Sequence, residues 1–109
     1  MGKQGELLAR KYLKKNKFKI EEVNYVAPMG EADIIAWEQN TLVFIEVKTR
    51  SGDGFGSGAE AVNEQKRRRY VKIAQYYLLT HRLSDVNVRF DVIEVKNGDI
   101  NHIVSAFGI

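Results

Sequence analysis

The chain has 109 residues, of which 44% are hydrophobic, and it carries a formal net charge of +3 without any cysteine. This composition indicates one globular domain over residues 1–109, and it excludes a disordered chain, disulfide bonds and thiolate metal sites. No stretch approaches the roughly 20 consecutive apolar residues of a membrane span, and the N-terminus lacks a signal-peptide pattern. We therefore expect a cytoplasmic protein without a membrane partner.

The first half of the chain shows one helical pattern followed by three strand patterns. Apolar residues within positions 6–15 recur at spacings of three and four, which predicts a helix. Strands are predicted over residues 19–25, 32–37 and 41–50. The only proline and a glycine predict a turn between the first two strands. The connection "EQN" before the third strand is so short that an antiparallel hairpin is expected.

The second half begins with the glycine-rich segment 52–58, which leads into a predicted helix over residues 59–80. A fourth strand is predicted over residues 86–95, and a last one over 100–107 pairs back through "KNGD", a type I′ turn signal. The order is αβββαβ plus a terminal strand, an α/β fold. The helix between strands three and four implies a crossover back onto the sheet.

Two charged residues interrupt the apolar third strand "LVFIEVKTR" on the same side, because strand side chains alternate. Burying Glu46 or Lys48 alone would cost several kcal/mol, so each needs a partner. A mutual surface pair is one explanation. The hairpin, however, also brings Asp33 beside Glu46, with Glu31 close by. The sequence therefore predicts an acidic cluster at this edge of the sheet.

Like charges held together need a compensating cation, and hard oxygen ligands suit Mg²⁺ or Mn²⁺. Asp33 and Glu46 would supply carboxylates, and the Val47 carbonyl could supply a third oxygen. Lys48 would orient or polarise the attacking water, or steady charge on a phosphate oxygen. This pattern is typical of metal-assisted hydrolysis.

Two basic blocks flank the acidic cluster, one near the N-terminus and one at "KRRR", residues 66–69. Each block on its own could be a solvated helix face. Two blocks around an acidic cluster favour a polyanionic partner such as nucleic acid. The residues expected to bind nucleic acid are Lys66, Arg67, Arg68 and Arg50.

The motifs "GEADIIA", "LVFIEVKTR", "FGSGAEAVNEQKRRRYVKIAQYYL" and "RFDVIEV" resemble the uncharacterised bacterial YraN family, in order and over essentially the whole chain. That family is similar to the restriction-endonuclease-like, or PD-(D/E)xK, superfamily, especially its Holliday-junction resolvase branch. The resemblance implies a mixed sheet flanked by helices and metal-dependent cleavage of DNA phosphodiesters, on branched or damaged DNA. It also suggests a homodimer, because a junction presents paired strands.

In this resemblance the D…ExK positions are filled by Asp33, Glu46 and Lys48. Glu6 matches a first-helix glutamate directed at the metal site, and an exposed Glu6–Arg10 pair is its alternative. Gln65 and Lys66 match a polar pair on the helix after the ExK strand. Lys66 should face the sheet, with packing of its methylene groups as the competing explanation.

The remaining chemistry-bearing residues carry weaker signals. His81 and His102 have no spacing typical of a metal pair and are expected to be ordinary polar positions. Asp91 is expected to be salt-bridged to a neighbour rather than catalytic. Ala32 replaces the proline that gives the superfamily its name, and Val26 removes an arginine common in the family.

Two other functions remain open from the residues alone. The first is a nucleic-acid-binding module that retains the nuclease fold but cleaves nothing. The second is a protein–protein adaptor that uses the edge strand near the C-terminus. Magnesium-dependent cleavage of DNA would indicate the nuclease, and salt-sensitive DNA binding without cleavage would indicate the binding module. The absence of both properties would indicate the adaptor.

Overall fold

The computed structural model describes residues 2–50 and 62–108, which form two helices and five strands. The helices are α1, Gly2–Lys15, and α2, Glu64–Thr80. The strands are β1, Lys19–Ala27; β2, Gly30–Glu38; β3, Thr41–Thr49; β4, Asn87–Lys96; and β5, Asp99–Phe107. The predicted αβββαβ order with a terminal strand is confirmed. The glycine-rich segment 52–58 lies outside the described residues, and neither described helix is long and apolar enough to cross a membrane.

The strands form one mixed sheet in the order β1-β2-β3-β4-β5. All neighbouring pairs are antiparallel except β3 and β4, which pair in parallel and are connected along the chain through α2. The hairpin between β4 and β5 turns at Asn97 and Gly98, whose φ angles of 51° and 84° fit the predicted type I′ turn. The expected mixed sheet flanked by helices is therefore confirmed.

The two helices cover opposite faces of the sheet, and β3 shows why. Leu42 and Phe44 belong to the apolar layer beneath α2, whereas Val43 and Ile45 belong to the layer beneath α1. Because side chains alternate along a strand, a continuous apolar run can fill both layers at once. Each fully buried side chain of this kind contributes about 1.5–3 kcal/mol. Glu46 is the next residue after Phe44 whose side chain points toward α2, so it lies on a buried face of the sheet.

Helix α1 lies close against the sheet at Gly5. A Cβ atom at this position would come within 2.4 Å of the Thr49 Oγ1 atom at the end of β3. The missing side chain therefore allows the first turn of α1 to approach the end of β3. The following residue, Glu6, is thereby brought to the edge of the sheet that carries the acidic residues.

Helix α2 begins later than its sequence pattern predicted. Asn63 has extended backbone angles, and its side-chain oxygen accepts a hydrogen bond from the Lys66 amide at 2.9 Å, so it is the N-cap. The prediction of helix at residues 62 and 63 was wrong, and residues 59–61 lie outside the described part. The cap fixes the first turn of α2 above the start of β2 and the end of β3, which are neighbours in the antiparallel pair.

Candidate active site

The antiparallel register of β2 and β3 sets Asp33 beside Glu46. Ile34 pairs with Ile45, so the next residues outward are the two carboxylates. The Val47 amide donates to Asp33 Oδ2 at 2.8 Å, which ties the β2 side chain to the β3 backbone. Glu46 is only 4% exposed. The predicted proximity of the two carboxylates is present on the α2 face of the sheet.

Both oxygens of Glu46 have donors from α2. The Tyr70 hydroxyl donates to Oε1 at 2.7 Å, and the Lys66 ammonium donates to Oε2. Lys66 and Tyr70 are four residues apart, one helical turn, so both point to the same part of the sheet. A buried carboxylate needs such compensation, and here the cation is Lys66 rather than Lys48.

Burial and the neighbouring carboxylate perturb the ionisation of Asp33. Burial and then repulsion by Glu46 raise the pKa of Asp33 from 3.8 to about 7, although the hydrogen bond from the Val47 amide opposes the rise. Burial, followed by the charges of Glu46 and Asp33, also raises the pKa of the Tyr70 hydroxyl well above its ordinary value. Tyr70 therefore remains a hydrogen-bond donor at neutral pH. The ammonium of Lys66 is the one positive charge seen to contact either of the two carboxyl groups within the described residues.

The donor set fits a small hard cation with few protein ligands. Asp33 and Glu46 offer carboxylate oxygens, and the adjoining Val47 backbone offers a carbonyl. Within residues 2–50 and 62–108, no group of three or more histidine, cysteine, aspartate and glutamate side chains could hold a metal ion. Mg²⁺ commonly binds through one or two carboxylates and keeps several waters, so two carboxylates suffice for it. A zinc-type site with four side-chain ligands does not fit this set.

The other residues proposed for the site lie at different distances from the carboxylates. Glu6 accepts a hydrogen bond from the Asn24 side chain at 2.9 Å, and its charge is among those that raise the pKa of Asp33. The alternative Glu6–Arg10 pair does not form among the described residues. Lys48 has no hydrogen-bond or ion-pair partner within that same part of the chain. Gln65 is exposed and lines a neighbouring groove rather than touching the carboxylates.

That groove, of about 400 Å³, runs along the exposed side of α2. Its lining residues are Met29, Glu64, Gln65, Arg68, Arg69 and Lys72. Arg69 lies over the start of β2, where its Cδ would be 2.4 Å from a Cβ atom placed on Gly30. Arg68 pairs with Glu64 at 2.9 Å, but both side chains are about three-quarters exposed, so the pair is weak. The groove is therefore basic and begins beside the strand that carries Asp33.

Comparison with known proteins shows the family of this sequence. The model of the uncharacterised protein family UPF0102 matches residues 5–95. The chain belongs to UPF0102. A UPF0102 protein of Alkaliphilus oremlandii is 47% identical over 98% of this chain and 97% of its own length. UPF0102 proteins of Persephonella marina and Caldanaerobacter subterraneus subsp. tengcongensis are 39% and 41% identical, over 99% and 98% of this chain and 93% of each relative.

UPF0102 is the YraN-like family, so the resemblance inferred from the motifs is confirmed. The matched range includes the acidic and basic residues around β2, β3 and α2. The family is described only as uncharacterised, and the names of these three relatives state no activity. Any function of the UPF0102 site must therefore be argued from its chemistry.

Two of the arginines expected to bind nucleic acid in this UPF0102 protein have partners within the fold. Arg67 donates from Nε to the Val62 carbonyl at 3.0 Å, and its guanidinium carbon lies 5.8 Å from the Phe107 ring centroid. Arg50 forms an ion pair at 2.9 Å with Glu94, which is fully buried. Of the predicted set, Arg68 is the most exposed to a polyanion.

Sequence reasoning missed three residues near the site. Tyr70 lies among the apolar residues of α2, and its position four residues after Lys66 indicates the same helix face. Arg69 lies in the basic block, and Lys72 falls one turn after Arg68; this helical spacing was the available signal. All three become relevant only when the position of α2 over β2 and β3 is known.

A second polar network lies on the α1 side of the sheet. Asp91 is fully buried and accepts two hydrogen bonds from Arg89, each 2.9 Å, which confirms its predicted salt bridge. His102 Nε2 lies 2.7 Å from Asp91 Oδ2, and its Nδ1 lies 3.0 Å from the Tyr12 hydroxyl. His102 is a polar position, as predicted, but its side chain is only 9% exposed, so it belongs to the interior of the fold. This network connects α1 to β4 and β5.

Proposed function

We propose that this UPF0102 protein is a metal-dependent nuclease that hydrolyses phosphodiester bonds in DNA. One observation carries the proposal: Asp33 and Glu46 are adjacent on neighbouring strands, in an environment that raises the pKa of Asp33 to about 7. A fold gains nothing from like charges placed together in a partly buried position. Such perturbed carboxyl pairs cluster at functional sites, where a bound cation compensates them.

The side chains around the pair are arranged to hold it. Asp33 and Glu46, together with the Val47 carbonyl, would bind Mg²⁺ or Mn²⁺; when bound, the ion would activate water and neutralise charge on the phosphate. The Val47 amide holds one oxygen of Asp33, and the Tyr70 hydroxyl holds one oxygen of Glu46. Lys48, two residues after Glu46, would steady the attacking water or a phosphate oxygen.

The basic groove supports DNA as the substrate. Arg68, Arg69 and Lys72 line it, and the groove begins at Met29, in the turn before the strand that carries Asp33. A phosphate backbone in this groove would be held by non-specific electrostatic contacts close to the carboxyl pair. The resemblance to junction resolvases favours branched or damaged DNA, bound by a homodimer, in recombination or repair.

The proposal is tested by incubating the purified protein with duplex, single-stranded, flap and four-way-junction DNA, with and without Mg²⁺ or Mn²⁺. We expect metal-dependent cleavage that Asp33→Asn and Glu46→Gln each abolish. The matched control is Glu21→Gln, which removes an exposed carboxylate from the neighbouring strand β1 and should leave cleavage unchanged. Cleavage that persists in both site variants at saturating metal would remove the proposed site.

A non-catalytic nucleic-acid-binding module is the second candidate, and a specific contact favours it. Glu46 already has Lys66 and Tyr70 as partners, so the fold does not depend on a metal ion for its compensation. Such a module would bind the same DNAs in a salt-sensitive manner and show no cleavage with either metal ion. The incubation described above therefore distinguishes the two candidates.

A further inference from the structure

The donors to the two carboxylates differ in how firmly they are fixed. The Val47 amide belongs to the sheet backbone. Tyr70 is only 1% exposed, and its side chain is buried between α2 and the sheet. Lys66 is different, because its side chain is 35% exposed and reaches Glu46 Oε2 from the first turn of the helix. A long, partly exposed ammonium can leave its partner at little steric cost. Only one of the three donors is therefore readily exchanged.

The oxygen that Lys66 occupies is also the one that a cation would require. Oε1 of Glu46 remains held by Tyr70, and Oδ2 of Asp33 remains held by the Val47 amide. Because those two donors are fixed, Glu46 Oε2 is the oxygen at which a cation would meet the donor that is most easily displaced. A divalent cation and an ammonium cannot both bind at Oε2, because their charges repel at that distance. Binding of one must displace the other.

We propose that Lys66 is an exchangeable counter-ion: it neutralises Glu46 without metal, and a divalent cation displaces it toward the phosphate backbone of bound nucleic acid. This proposal rests on the proposed function, because it assumes that Asp33 and Glu46 bind the cation. Lys66 stands at the start of α2, the helix that also lines the basic groove with Arg68 and Lys72. The released ammonium is therefore close to where a DNA strand would lie.

This exchange couples two ligands that bind different atoms. A metal ion frees Lys66 for phosphate, and a phosphate that attracts Lys66 clears Glu46 for the metal. By linkage, each ligand must then strengthen the binding of the other by the same factor. The site would be loaded with metal mainly when nucleic acid is present, which limits cleavage to the bound complex.

The first test measures metal affinity without any reaction. Titration calorimetry with Mn²⁺ at pH 8 would compare the wild-type protein with Lys66→Gln, which retains a hydrogen-bond donor but no charge. Because a charged hydrogen bond is removed from competition, we expect Mn²⁺ to bind about 10-fold more tightly to the variant. Arg82→Gln, which removes an exposed charge just beyond the end of α2, is the matched control and should leave the affinity unchanged.

The second test measures binding of a DNA oligonucleotide over a range of salt concentrations. Ca²⁺ can serve as the cation, because it uses the same kind of oxygen ligands. Without a cation, the wild type and Lys66→Gln should show the same salt dependence, since Lys66 is held by Glu46. With Ca²⁺, the slope for the variant should be smaller by about one, the loss of one phosphate contact.

The possible outcomes separate this proposal from the proposed function. Unchanged or weaker Mn²⁺ binding by Lys66→Gln, with normal binding by the wild type, refutes the exchange and leaves the metal site in place. Failure of every variant and of the wild type to bind a divalent cation overturns both proposals. Tighter Mn²⁺ binding by Lys66→Gln together with the smaller salt slope in Ca²⁺ supports the exchange, whereas tighter binding with an unchanged slope refutes it, because a lysine that only repels the cation gains no phosphate contact.

Discussion

Replacing Asp33 by asparagine should stabilise the metal-free protein, although it alters a partly buried and hydrogen-bonded residue. The side-chain oxygen of asparagine can still accept the hydrogen bond from the Val47 amide, which is 2.8 Å long in the wild type. The new amide group can donate toward Glu46. The substitution thus keeps the local contacts and removes the repulsion between two adjacent carboxylates.

The size and pH dependence of this effect follow from the pKa of Asp33. Its rise from 3.8 to about 7 on folding corresponds to about 4 kcal/mol when the group is ionised. Partial exposure and the coupling to Glu46 reduce this to about 2 kcal/mol. Because the folded state holds the proton more tightly than the unfolded state, the wild type loses stability as pH rises from 3.8 through about 7. The gain from the substitution should therefore be small at pH 4 and complete at pH 8.

Urea denaturation with a chelator, at both pH values, measures this gain. Glu31→Gln is the control, since an exposed carboxylate on the same strand should contribute no comparable pH dependence. Added Mg²⁺ should then stabilise the wild type but not the variant, which narrows the difference between them. If Asp33→Asn is less stable than the wild type at pH 8 without metal, Asp33 is a structural anchor for the β3 backbone, and the reasoning from repulsion is wrong.

Three further predictions concern other parts of the molecule. Lys48→Arg should fold and bind DNA normally but cleave about 100-fold more slowly in single-turnover assays, because a broad guanidinium cannot replace a compact ammonium; a nearly full rate would exclude Lys48 from the chemistry. Alanine at Arg68 and Arg69 should flatten the salt dependence of DNA binding by about two phosphate contacts, whereas an unchanged slope would make this block a solvated surface. Asp91→Asn should lower the free energy of unfolding at pH 7 by about 3 kcal/mol, because it disrupts a buried ion pair. Burial raises the pKa of Asp91, but hydrogen bonds from His102 and Arg89 lower it below 3.8 overall. Wild-type stability should therefore fall below about pH 4, and the fall should be smaller in the variant, which lacks this carboxylate. Identical acid denaturation profiles would contradict this.

The sequence by itself determined the pairing of Asp33 with Glu46. Strand alternation fixes which residues share a face, and the short connection "EQN" implies an antiparallel hairpin, so the two carboxylates were expected to lie close together; the two-residue turn of the structure then sets their register. The type I′ turn at Asn97 and Gly98 follows from equally local chemistry. These features depend on residues close together in the chain, and short-range geometry leaves few alternatives for them.

Only the tertiary structure decided which cation compensates Glu46. Lys48 is nearer in sequence, but Lys66 reaches the carboxylate because the Asn63 cap and the apolar face of α2 set where the first turn of that helix lies. The link between His102 and Asp91 likewise required the register of β4 and β5. Such contacts depend on how separate elements pack against one another, and a long charged side chain can satisfy a partner on any element within reach. Their partners are therefore fixed by the packing of the whole fold and not by spacing along the chain.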